Sequence, residues 1–169
     1  KDTNLAQITL SDGITKISDS AFKGAKLVQI TLSDSITEIG ESAFENCTEL
    51  TTVVIPANST LRVIGKYAFA YCRNLETITL PEGLTTIGTG AFYHRNKDYS
   101  AKDLSDSKLE AINLPSSLTA LGDQAFAYTA LKAIEIPESI TVIDAYTFVE
   151  CHSLTDVKLP STLTEIGEC

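Results

Sequence analysis

The sequence contains no tryptophan, no methionine and only two histidines. That scarcity removes most imidazole-based catalysis and most metal chemistry. No apolar run approaches the roughly 18 residues that a membrane-spanning helix needs, so no membrane insertion is expected. Lys1 to Asn4 are polar and lead straight into the pattern below, so nothing there reads as a secretory leader. Basic residues are in deficit, with 13 Lys and Arg against 22 Asp and Glu and a net charge of −9. A nucleic-acid partner is disfavoured, because phosphate binding needs a basic stripe, and so is docking on an anionic membrane. What is present is apolar: 43% of the 169 residues are hydrophobic, enough for one folded domain with a sizeable core.

Those apolar residues recur. Leu27, Ile30, Leu32, Ile36, Ile39-Gly40, Ala43-Phe44 and Cys47 form one unit, and copies start at Leu5, Leu27, Leu50, Leu75, Leu109, Leu131 and Leu154. All six Phe (Phe22, Phe44, Phe69, Phe92, Phe126, Phe148) share one slot, and all five Pro (Pro56, Pro81, Pro115, Pro137, Pro160) share another. Gly40, Gly65, Gly88, Gly122 and Gly167 share a third, with Ser18 and Asp144 in their place in units one and six.

The spacing predicts the conformation. In Leu-x-x-Ile-x-Leu the fourth and sixth residues face one side of an extended segment. Pro ends it, because Pro cannot donate to a ladder. Ile-Thr-x-Ile-Gly reads as a second short strand whose Gly suits a turn with positive φ. Ser-Ala-Phe-x-x-Cys reads as a turn with Ala and Phe inward. A unit this short cannot hide its own apolar face, so copies must stack into a solenoid with one shared core.

This pattern resembles the BspA-like, or Treponema-type, leucine-rich repeats of microbial surface proteins. The resemblance covers essentially the whole chain; unit two lacks only the Pro, where Ser33 stands. It implies a right-handed leucine-rich-repeat superhelix with a parallel sheet on the concave side and short extended or turn segments on the convex side. Residues 1–169 are read as one such solenoid, and as a fragment of a longer array, since neither end carries a polar cap.

Motifs for chemistry are absent: no Gly-x-Ser-x-Gly, no phosphate loop and no metal spacing, so no enzyme and no cofactor are expected. His94 and His152 read as solvated loop residues. Cys47 and Cys72 fill one slot in adjacent units, within disulfide reach. Their shared inward direction fits two buried thiols better, and the even cysteine count leaves the redox compartment open. A stripe of Thr15, Thr37, Thr85, Thr119, Thr141 and Thr164, interrupted by Arg62, reads as structural.

Two surfaces are candidates for a partner. The outward residues of the first strands include Gln29, Thr31, Thr52, Thr77 and Thr79, a small hydroxyl-rich face without aromatics. It also suits a plain strand surface, since Thr favours a pleated face. The second candidate is the insertion of residues 93–108, which lengthens unit four to 34 residues, and where Tyr93, His94, Arg95 and Tyr99 are types that anchor interfaces. A tolerated surface loop would look the same. The resemblance implies a monomeric, non-enzymatic adhesion or protein-interaction module, at the cell surface or secreted. Its partner would be a host or neighbouring-cell surface or extracellular-matrix protein. The alternatives are a structural spacer without its own ligand, and a hydrolase using His94.

Overall fold

The computed structural model describes residues 6–95 and 107–168. Among them no helix forms, and the strands run in chain order as β1 (Gln7–Thr9), β2 (Lys16–Ile17), β3 (Gln29–Thr31), β4 (Glu38–Ile39), β5 (Thr52–Val54), β6 (Val63–Ile64), β7 (Thr77–Ile78), β8 (Thr86–Ile87), β9 (Ala120–Leu121), β10 (Ala133–Glu135), β11 (Val142–Ile143), β12 (Asp156–Lys158) and β13 (Glu165–Ile166). Every pairing is parallel and joins equivalent positions of successive units: Gln7 to Gln29, Gln29 to Thr52, Thr52 to Thr77. The chain is therefore a parallel β-solenoid. The first sheet is ordered β1-β3-β5-β7 and resumes as β10-β12; the second is ordered β2-β4-β6-β8-β9 and resumes as β11-β13.

Stacking hides what one unit cannot. Ile30, Ile36, Ile39, Phe44 and Leu50 lose all solvent exposure, and one cluster of apolar side chains runs through the molecule. Its axis is the phenylalanine column. Successive rings from Phe22 to Phe148 lie 5.2–5.9 Å apart and within 12° of parallel. Such stacked pairs add about 0.5–1.5 kcal/mol each beyond the area they bury.

The turn segment that carries each Phe has its own ladder. Ser42, Phe44 and Asn46 donate their N–H groups to Lys66, Ala68 and Ala70 of the next unit, at 2.8–2.9 Å. Equivalent bonds link each described unit to the next. The carbonyl of each Pro accepts from the N–H three residues on, as Ser59 to Pro56 and Leu84 to Pro81 show, so Pro both closes the strand and opens a turn. The threonine stripe is structural: Thr37 donates both its N–H and its hydroxyl to the carbonyl of Thr15, at 2.8 and 3.0 Å, and Thr85 does the same to Arg62.

The shared glycines play a different role from the one expected. None of Gly40, Gly65, Gly88, Gly122 and Gly167 has a positive φ. A Cβ on Gly65 would sit 2.8 Å from the backbone of Gly40 and Ile39, and one on Gly122 would sit 2.6 Å from the Thr89 nitrogen. Glycine is needed there because the backbones of adjacent units touch, not because the turn is left-handed.

Candidate interaction faces

Strand alternation places the first-sheet residues. In β3 and β5 the buried Ile30 and Val53 leave Gln29, Thr31 and Thr52 half-buried on the opposite side, while Thr77 and Thr79 are exposed. The parallel register lines up Gln7, Gln29, Thr52 and Thr77 in one row. The rows are short-chained and uncharged there. Charge enters only further along, as cross-unit pairs such as Lys132–Glu110 and Lys158–Glu135, both at 2.5 Å and well exposed. Exposed pairs of this kind contribute roughly 0–1 kcal/mol, so they trim the surface more than they hold it.

Tyr93, His94 and Arg95 sit on a different part of the molecule, the turn segment. The N–H of Tyr71 donates to the Tyr93 carbonyl at 2.9 Å, and that of His94 to Ala127 at 3.0 Å, so both belong to the turn ladder. His94 is only 4% exposed. The expectation of a solvated loop residue fails for it, because the ladder carries the repeat geometry past Phe92 before the extra residues begin. His152 is exposed as expected, 2.9 Å from Glu150. Tyr99 lies outside the described residues.

Around Tyr93 the turn segments gather aromatic rings. Tyr93 meets Tyr71 at 5.6 Å, Tyr128 at 5.5 Å and Tyr67 at 6.4 Å, all edge to face. Cations lie over two of these rings: Lys66 at 5.4 Å from the Tyr67 centroid and Arg95 at 5.5 Å from that of Tyr128. Burial, then the neighbouring Tyr71 and Tyr128, raise the Tyr93 pKa, so its phenol stays protonated at neutral pH. Tyr67, Tyr71 and Tyr128 escape a sequence reading because they are scattered along the chain. Counting outward from each Phe would have found them: Tyr71 and Tyr128 stand two residues after it, and Tyr67 two before.

Among the described residues the cysteines, Cys47, Cys72 and Cys151, are free. The thiols of Cys47 and Cys72 donate to the carbonyls of Phe22 and Phe44 in the preceding unit, at 3.0 and 3.1 Å, and Cys151 does the same to Phe126. Burial pushes the Cys72 thiol well above its ordinary range, which keeps it an inert donor. Among the described residues no group of three or more His, Cys, Asp or Glu side chains is placed to hold a metal ion.

The family model described as "BspA type Leucine rich repeat region" matches in six copies, over residues 1–102 and 104–169. Solved structures agree. A leucine-rich repeat protein of T. pallidum is 27% identical with a TM-score of 0.82, over 98% of this chain and 74% of its own. One from Bacteroides ovatus is 26% identical with a TM-score of 0.71, over 97% of this chain and 48% of its own. A leucine rich cell surface protein of Faecalibacterium prausnitzii is 31% identical with a TM-score of 0.59, over 92% and 48%. The chain thus spans about half the length of the latter two. No curated protein matches it.

Proposed function

The chain belongs to the BspA-type leucine-rich repeat family, and from that premise we propose that it is a non-enzymatic protein-interaction module exposed at a microbial surface or secreted. The observation that carries this reading is the pre-formed row of Gln7, Gln29, Thr52 and Thr77 along a rigid parallel sheet. Such a face offers broad area and hydrogen bonding without a deep pocket, the kind of contact whose strength grows by area and multivalency. The similar protein of F. prausnitzii is described as a cell surface protein, which supports the same location here. The partner proposed is a host, neighbouring-cell or extracellular-matrix protein. Binding to immobilised matrix proteins tests this. Thr52→Arg and Thr77→Arg should weaken capture about tenfold or more, because a long charge would stand in the middle of the contact. A second reading, a spacer without a ligand of its own, is favoured by the lack of aromatic anchors on this face; failure to bind any protein of the panel would select it.

A further inference from the structure

We propose that the tyrosine ridge of units three to five is a binding cleft for a neutral saccharide. The argument begins with Gly90. The equivalent position in the other described units holds Ser20, Ser42, Tyr67, Gln124 and Tyr146, and all of these, like Gly90, have φ between 54° and 59°. Five side chains tolerate that left-handed backbone, so conformation alone does not call for glycine. What calls for it is Tyr67. A Cβ on Gly90 would lie 2.2 Å from Cε1 and 2.4 Å from Cδ1 of the Tyr67 ring. Glycine at this one place lets Tyr67 lie across the neighbouring unit. In the slot of Tyr93 the flanking units carry the small Ala70 and Ala127, and the rings of Tyr71 and Tyr128 meet Tyr93 edge to face instead.

The outcome is a cleft of about 360 Å³ lined by Glu45, Tyr67, Tyr71, Tyr93 and Gln124, within the size range of small-ligand sites. Its chemistry is mixed in a specific way. Three phenols present apolar ring surface with a hydroxyl at the rim. Gln124 can add an amide donor and acceptor. The one charge in the lining, Glu45, is engaged by Lys23 at 2.8 Å, and the nearby cations are engaged by the tyrosines themselves, Lys66 over the Tyr67 ring and Arg95 over the Tyr128 ring and hydrogen-bonded to the Tyr93 phenol. An anionic ligand would meet the Glu45 carboxylate and have to draw Lys66 or Arg95 away from its tyrosine, and a purely apolar one would leave the polar rim unpaired. A sugar ring matches both demands, with a C–H face for the phenol rings and hydroxyls for their edges. This goes beyond the protein-interaction reading and does not depend on it.

The chain reports on the cleft by itself. It has no Trp, and four of its six Tyr are Tyr67, Tyr71, Tyr93 and Tyr128. Titration of the whole chain with maltotriose, cellotriose, chitotriose and galactotriose, read by tyrosine emission, should give saturable binding to at least one, with a Kd of about 1 mM or tighter. Gly90→Ala, which displaces the Tyr67 ring without removing a lining side chain, should weaken that binding about tenfold or more, and Gln124→Ala, at the rim, about threefold or more. Thr52→Arg on the first sheet should leave it unchanged, and so should loss of matrix-protein capture. No saturable response to any of the four sugars would overturn the proposal. So would saccharide binding that survives both Gly90→Ala and Gln124→Ala, or cleft-dependent binding of an oligoproline peptide in place of a sugar.

Discussion

Strands β8 and β9 stay paired across the longest unit of the chain, 34 residues from Leu75 to Leu109, whereas β9 and β11, separated by an ordinary unit, lie in different sheets. The second sheet stays intact although the extra residues of this unit fall between Arg95 and Lys108, and the N–H of Lys108 donates to Arg73 at 3.2 Å. The first sheet breaks there instead, between β7 and β10. The second sheet breaks where Asp144 occupies the glycine slot. At that slot Gly40, Gly65, Gly88, Gly122 and Gly167 each donate their N–H to the preceding unit, and among the described backbone bonds Asp144 has no equivalent. Among the described backbone bonds the Thr141 N–H also lacks the partner that Thr37, Thr85, Thr119 and Thr164 have, so the break spans residues 141–144 and coincides with a side chain in the glycine slot. Through both breaks the turn ladder and the phenylalanine column continue, from Phe92 to Phe126 and from Phe126 to Phe148.

The column and its turns should therefore hold the molecule together more than either sheet. Phe69→Ala should cost about 3–5 kcal/mol in denaturant unfolding, by loss of burial plus the cavity left between two rings. Phe148→Ala, at a partly buried position with one recorded ring neighbour, should cost clearly less. Equal losses at both positions would show that the column does not act as a continuous stack. Gly65→Ala should cost about 1–3 kcal/mol, since the Gly40 and Ile39 backbone must give way. A neutral result would mean that the close approach at this slot is not needed for pairing β4 with β6.

The reverse substitution should repair the break. In Asp144→Gly the backbone can close, β9 can pair with β11, and stability should rise by about 1 kcal/mol, the hydrogen bonds gained outweighing the entropy that glycine loses. Slower amide exchange at residues 143–144 would accompany it. A fall in stability would place the cause of the break elsewhere than in the Asp144 side chain.

The column was legible because all six Phe fall in one slot and no other arrangement buries a repeating Phe so economically in sequence. The glycine slot was legible as a constraint but not in kind. Spacing along one chain cannot tell a left-handed turn from a contact with the next unit, because the contact exists only after stacking. Gly90 shows the same limit: its clash with Tyr67 crosses 23 residues of sequence. His94 departs from expectation because spacing alone puts the start of the insertion at residue 93, while the turn ladder carries the repeat through His94. Tyr93 and Arg95, insertion residues by spacing, stand in a ridge with Tyr67, Tyr71 and Tyr128. The Gln29, Thr31, Thr52, Thr77 and Thr79 face followed directly from strand alternation, the one rule that needs no neighbour.

The smallest effect concerns acid. Partial burial at the break, together with the charges of Asp123 and Glu165, raises the Asp144 carboxyl above its ordinary range. A carboxyl raised on folding binds its proton more readily in the folded chain, so ionisation at neutral pH works against the fold. That penalty should disappear as pH falls through the raised value and be gone below the unfolded value of about 3.9. Glu138 moves the other way: hydrogen bonds from Ser161 lower its pKa, so its contribution fades as the pH drops. The two are separated by comparing the wild-type chain with Asp144→Asn, in which Glu138 is untouched. The variant should be the more stable at pH 7, and its advantage should shrink towards about pH 4. No advantage at any pH over that range would assign the break to the bulk of the side chain, which Asn keeps, and not to its charge.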